Sequence, residues 1–153
     1  MDKSLLDLLK EIEIFGDLSE TEHKIIKKFM FPYEYTEGSY VFKEGTYGNY
    51  MFFIVDGTVD VIKQMGTSKM VIATLSSGHS VGEMSLIDGE TRSATVKATT
   101  DLKLIVLKQA DFQALLQQHP AISNKVVMRI SQLLSKSLRA LSNDFTESML
   151  SLY

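Results

Sequence analysis

Apolar residues recur at helical spacing over the first fifteen positions (Leu5, Leu6, Leu8, Leu9, Ile12, Phe15), so residues 3–15 read as a first helix that Gly16 ends. Ser19-Glu20-Thr21-Glu22 has the form of a capping box, and Ile25, Ile26 and Phe29 supply one face of a second short helix, closed by Pro32. From Tyr33 to Leu107 the pattern shortens to strands: Tyr40–Phe42, Met51–Val55, Thr58–Ile62, Met70–Leu75, Thr95–Thr99 and Leu102–Leu107. Asp56-Gly57 between two of them is a hairpin signal, because both residues tolerate positive φ. Roughly eight short strands at this spacing predict a sandwich or small barrel. Helical periodicity returns at Gln109 with Phe112, Leu115 and Leu116 and stops at His119-Pro120. The longest periodic segment, about 121–145, carries Ile122, Val126, Val127, Ile130, Leu133, Leu134, Leu138, Leu141 and Phe145. That stripe is either one wide core face or two seams, one for the body of the protein and one for a partner.

Composition narrows the chemistry more than the fold. The chain has 153 residues, enough for one domain with its own core. The expected division is 1–32 for the first helices, 33–107 for the strands and 108–153 for the last helices. A formal net charge of −3 offers no basic footprint for nucleic acid. With no cysteine there is no disulfide framework, thiolate metal site or thiol nucleophile. His23, His79 and His119 fall in separate segments, so no metal site of clustered histidines is expected. Neither a P-loop nor a Gly-x-Ser-x-Gly elbow is present, and the chain reads as a binding protein, not an enzyme. No apolar run reaches membrane-spanning length and the N-terminus lacks signal-peptide character, so a cytoplasmic location is expected.

One window, Ser80 to Thr95, concentrates residues suited to a small anion that carries a hydroxyl. Gly82 allows a sharp turn or a close approach of backbone to ligand. Glu83 follows among Val81, Met84, Leu86 and Ile87, either as a hydroxyl acceptor or as a solvated first-turn carboxylate. Met84 and Ser85 begin a helical turn whose free N–H groups suit an anion. Asp88-Gly89 reverses the chain. Arg92 then supplies a planar, permanently charged fork for two phosphate oxygens, and Ser93 adds a hydroxyl.

Gly82-Glu83-x-Ser85-Leu86 followed by Arg92-Ser93-Ala94-Thr95 resembles the phosphate-binding cassette of the cyclic-nucleotide-binding domain family. The resemblance extends to Gly38, Lys43-Glu44-Gly45, Met51 through Val59 and Leu102–Leu107, and covers about residues 15–140. It implies an α+β fold: an eight-stranded antiparallel, jelly-roll-like β-roll, two short N-terminal helices, a hinge helix and a long lid or dimer helix. It implies a 3′,5′-cyclic purine nucleotide as ligand and no other cofactor. Cyclic AMP is favoured over cyclic GMP, because Ser93 stands where guanine-selective members often carry threonine. By the same resemblance Glu83 accepts from the ribose 2′-hydroxyl, Arg92 and Ser93 hold the phosphate, and Ala94 is small because it faces the roll interior. The purine lies against Val61, Val71, Ile72 and Leu75, under a lid drawn from Leu134, Ser137, Leu138 or Arg139. Ser137 aligns best with the polar lid position of the catabolite-activator type, though a solvent-facing serine is the other reading. The family's winged helix-turn-helix is not seen, so a sensor or regulatory module without its own DNA contact is expected. A homodimer through the last helix is implied, with Val127, Leu134, Leu141 and Phe145 near the two-fold axis, together with a protein effector. The rival expectation is a domain of this type that binds nothing and acts as a scaffold.

Overall fold

In a computed structural model, which describes residues 3–152, the chain forms two four-stranded antiparallel sheets with helices packed on one of them. Helix α1 (Leu5–Glu11) is followed by a single 3-10 turn at Glu13–Phe15, then by α2 (Glu20–Ile26) and a 3-10 turn at Lys27–Phe29. The first helix is shorter than its apolar spacing predicts. Ile12 is extended (φ −81°, ψ 121°), and the turn after it swings Ile14 and Phe15 back into the core. The capping box at Ser19 and Glu22 is present in full.

The strands are β1 (Met30–Tyr35), β2 (Tyr40–Phe42), β3 (Tyr50–Asp56), β4 (Thr58–Met65), β5 (Ser68–Ser76), β6 (Ser80–Val81), β7 (Thr95–Ala98) and β8 (Leu102–Lys108). One sheet has the order β1-β8-β3-β6 and the other β2-β7-β4-β5. Strand β1 begins at Met30, ahead of the expected boundary, with Pro32 inside it. An edge strand tolerates a residue that cannot donate to a ladder. The two-residue β6 is too short for an alternating pattern to predict it.

Asp56-Gly57 does not make a hairpin. Strands β3 and β4 lie in different sheets, and Gly57 turns the chain from one to the other. A Cβ at Gly57 would strike the carbonyl of Asp101, so this corner rests on the β7–β8 corner. Thr58 ties the two corners together: its N–H donates to Thr100 Oγ1 at 3.0 Å, and its hydroxyl bonds that of Thr99 at 2.6 Å. The true hairpin joins β4 to β5 through Gly66 and Thr67.

The helix-backed sheet is buried on both faces, which is why β3 and β8 read as continuous apolar runs. Phe52, Ile54, Leu102, Leu104 and Val106 point between the sheets, with Val59 and Val96 opposite. Met51, Phe53, Ile105 and Leu107 point to the helices and meet Leu9, Phe15 and Ile26. The Phe15 and Phe53 rings lie 5.0 Å apart. Each such side chain contributes roughly 1.5–3 kcal/mol by burial.

After α3 (Glu83–Asp88), which sits in the cassette, α4 (Gln109–Gln118) leads to a break at His119 (φ −136°, ψ 64°). Helix α5 then runs from Pro120 to Leu150, with proline at its favoured first position. Its apolar residues divide along its length, not around its circumference. Ile122, Val126 and Ile130 are buried, and Val127, Leu133 and Leu134 pack against the same helical core. Residues 135–152 are exposed, including Leu138, Leu141 and Phe145. Val127 and Leu134 therefore serve the chain's own core, contrary to the expected dimer seam. No helix among the described residues is long and apolar enough to cross a membrane.

Two ion pairs bind α5 to the N-terminal part. Lys125 reaches Glu22 at 2.9 and 3.1 Å, and Arg129 reaches Asp17 at 2.9 Å. The Lys125 ammonium, then the Ser19 N–H, hold the Glu22 carboxyl below its usual pKa. A depressed carboxylate contributes stability above its unfolded value of about 4.3, and that stability is lost as pH falls through the lower folded value. A double-mutant cycle of Glu22→Gln and Lys125→Met in urea is expected to give a coupling of about 0.5–1 kcal/mol at pH 7, because Lys125 is partly exposed. The coupling should fade at pH 3, and one that is the same at both values would dissociate the contact from charge.

Candidate functional site

The strand β5 shows where the second sheet stops being core. It pairs only with β4, and a bulge between Val61↔Ala73 and Ile62↔Val71 pushes Ile72 out of register. Beneath it lies a cavity of about 570 Å³. Its apolar wall comes from Phe42, Val61, Ile72, Ala73, Leu75 and Val96. The opposite wall is the cassette: Val81, Gly82, Glu83, Met84 and Ser85, then Arg92, Ser93 and Ala94. Ser80 and Ser137 complete it.

Ten of the eleven expected site residues thus border one space. Val71 does not. It is cross-strand partner to Ile62, which faces a different depression with Tyr40, Gln64 and Thr95, so the bulge turns Val71 to the outer face. Ala73 holds the inward position instead. Of the lid candidates only Ser137 reaches this cavity. Leu138 and Arg139 are exposed, and Leu134 packs on the helical core.

Arg92 is the centre of the site, and it is 3% exposed. Its Nη2 donates to the Tyr50 carbonyl at 2.6 Å, and its guanidinium carbon lies 4.0 Å from the Phe42 ring centre and 4.6 Å from that of Tyr50. Among the described residues, Nε and Nη1 have no hydrogen-bond partner. None of the ion pairs among the described residues includes Arg92 or Glu83. Burial pushes the guanidinium pKa down, opposed by Tyr50, while burial pushes the Tyr50 phenol up. A guanidinium remains charged through such a shift. Removing a cation from water costs several kcal/mol unless an anion compensates it, and the aromatic faces supply part of that.

Two glycines make room for this arginine. Gly82 has φ 87°, a conformation costly for any side chain, and a Cβ there would lie 2.5 Å from Arg92 Nη1. Gly48 is needed for space alone. Its Cβ would lie 2.7 Å from Arg92 Nε and 2.5 Å from Ser85 Cβ. Sequence reasoning missed Gly48, Phe42 and Tyr50. The available signal was a glycine just before an apolar strand, with aromatics on both sides of it.

Helix α3 starts at Glu83, one residue ahead of the expected turn, and its first N–H groups have no helical acceptor. Glu83 also borders a second cavity of about 190 Å³, lined by Glu13, Ile130, Leu133 and Leu134. Ser80 and Ser137 border both, so Glu83 and α5 stand in the partition between them.

The sequence profile described as a cyclic nucleotide-binding domain matches residues 32–119. The chain is 36% identical over 109 residues to a cAMP-dependent protein kinase regulatory subunit of Schizosaccharomyces pombe, covering 71% of this chain and 26% of that protein. It is 34% identical over 119 residues to a cyclic nucleotide-gated potassium channel of Rhizobium etli, covering 78% and 32%. The chain therefore spans about a quarter to a third of the length of these relatives. A crystal structure of a cyclic nucleotide-binding domain from Methylobacillus flagellatus superposes with a TM-score of 0.80 at 34% identity, covering 89% of this chain and 77% of that one.

A methyl group at position 48 must displace Arg92 or Ser85. Gly48→Ala is expected to cost about 1–3 kcal/mol in urea denaturation, as overpacking does. A change below about 0.5 kcal/mol would show that the loop yields freely and does not fix the arginine.

Proposed function

The chain belongs to the cyclic nucleotide-binding domain family, and from that premise we propose that it reversibly binds a 3′,5′-cyclic purine nucleotide, cyclic AMP before cyclic GMP, as a cytoplasmic sensor. One observation carries the reading: a buried guanidinium with two unpartnered nitrogens and no carboxylate, at the wall of a nucleotide-sized cavity. A cyclic phosphodiester is a monoanion whose two exocyclic oxygens match a planar fork. Ser93 and the free N–H groups at the start of α3 add neutral donors. Glu83, unpaired and at the edge of the cavity, accepts from the ribose 2′-hydroxyl. The purine rests on Val61, Ile72, Ala73 and Leu75, with Ser137 of α5 at its outer edge. The Ser93 hydroxyl is common to both purine ligands, so the preference for adenine is modest.

A ligand shifts a conformational equilibrium only through its differential affinity for the two states. Here the difference resides in α5, which alone brings a residue from outside the roll to the cavity and is hinged at His119-Pro120. Occupancy draws Ser137 toward the base and reorients the exposed half of the helix. There Leu138 and Phe145 are seven residues apart with Leu141 between, a seam suited to a second copy of the chain. A protein effector would read the resulting change.

Calorimetric titration with both nucleotides tests the central claim, and an absence of heat and of thermal shift with either would leave a non-binding scaffold as the function. Arg92→Ala removes about two charge-assisted hydrogen bonds, so a loss of about 2–4 kcal/mol is expected, roughly 30- to 1,000-fold in affinity. Glu83→Ala should weaken cyclic AMP binding yet leave 2′-deoxy cyclic AMP almost unaffected. Equal losses for both ligands would remove the ribose contact.

Self-association is tested separately. The double substitution Leu141→Glu and Phe145→Glu is expected to give a monomer in sedimentation equilibrium where the parent chain is a dimer. A dimer that survives both charges would place the interface elsewhere.

A further inference from the structure

We propose that Lys63 and Glu44 are positioning residues for the phosphate end of the cavity: they hold the Ser93–Ala94 peptide so that its N–H, and not its carbonyl, is offered to the anion. The inference rests on reading the cavity as a cyclic-nucleotide site and adds a part of its machinery that does not itself line it.

The ladder between β4 and β7 ends at Ile62↔Thr95. The next peptide back along the cassette, Ser93–Ala94, therefore lacks a ladder partner. The Lys63 side chain takes that place, its Nζ donating to the Ser93 carbonyl. Glu44 pairs with the same ammonium at 2.9 Å. It is itself fixed at two points: its carboxylate accepts from the Gln64 N–H at 2.9 Å, and its own N–H donates to Thr95 Oγ1 at 2.9 Å. The Gln64 N–H, then Lys63, keep the Glu44 carboxyl below its usual pKa. The two residues after Glu44 grip the arginine's backbone. The Gly45 N–H donates to the Arg92 carbonyl at 2.9 Å, and the Arg92 N–H donates to the Thr46 carbonyl at 2.7 Å.

Every peptide bond described is trans, so a residue's carbonyl and the following N–H point in opposite directions. With the Ser93 carbonyl drawn to Lys63, the Ala94 N–H faces away from Lys63. Among the described residues that N–H has no acceptor, although Ala94 is buried and borders the cavity. A buried N–H without a partner is rare, and a phosphate oxygen would satisfy it. The reverse orientation would point a carbonyl dipole at the anion. Because Lys63 and Glu44 are both partly exposed, their pairing contributes little to stability as such. Its value lies in where it aims one peptide.

The test uses cyclic AMP and its two phosphorothioate diastereomers, in which sulfur replaces one or the other exocyclic oxygen. Their affinity ratio reads which oxygen receives the peptide N–H. Calorimetry on the full chain is expected to show Lys63→Met and Glu44→Gln lowering cyclic AMP affinity by about 5- to 30-fold, the scale of one hydrogen bond to a charged group. Both should also shift the diastereomer ratio by at least about threefold, at melting temperatures within about 2 °C of the parent. Lys63→Arg, which keeps a cationic donor, should restore most of the ratio. An unchanged ratio overturns the proposal, whether affinity is intact or falls together with the melting temperature. A parent chain that binds none of the three ligands removes the underlying site and the inference with it, a result distinct from an unchanged ratio.

Discussion

Arg92 donates to the Tyr50 carbonyl while Phe42 and Tyr50 cover its guanidinium, and sheltering that charge from water dictates much of the chain around it. A cation in such a place needs room, a fixed backbone and a compensating anion. Room comes from two glycines that arrive from different segments, Gly48 before β3 and Gly82 before α3. The backbone is fixed by Gly45 and Thr46 of the β2–β3 turn. Compensation within the protein is incomplete, since dispersion and ring quadrupoles replace only part of the lost hydration. The local stability forgone here is what makes an anionic ligand bind well.

The same reasoning explains why β5 departs from its neighbours. Strands β3 and β8 are covered on both faces and form the two cores. Strand β5 has apolar residues of similar character, yet Ile72, on the cavity side, is 55% exposed. Apolar surface left open over a polar wall is unfavourable in the empty protein. It becomes favourable when a flat, partly apolar group such as a purine covers it.

Element types and the cassette were legible in the sequence because both depend on local chemistry. A capping box, a proline after a helix and the Gly82–Thr95 window each declare themselves within a few residues. What stayed hidden was set at long range. Asp56-Gly57 has the composition of a hairpin turn, and only the docking of Thr58 on Thr99 and Thr100 makes it a crossing between sheets. Val71 and Ala73 differ in facing because of a bulge that strand periodicity cannot register. Gly48 was overlooked because its role is to be empty where a side chain 44 residues later passes. The wide stripe of α5 was visible as a stripe, but its division into a docked half and a free half follows from where the roll ends.

That free half changes how small motions are expressed. At 1.5 Å per residue, α5 is a rod of roughly 46 Å pivoted at one end by the kink at His119. Rotation about such a pivot displaces each point in proportion to its distance from it. A tilt of about 3° moves Lys125, Arg129 and the buried Ile130 by less than about 1 Å, within the compliance of the ion pairs and the core. It moves Ser137 by about 1.4 Å and the far end by about 2.4 Å. Gearing of this kind lets an adjustment too slight to disturb the core appear at the tip as a displacement that a neighbouring molecule cannot ignore.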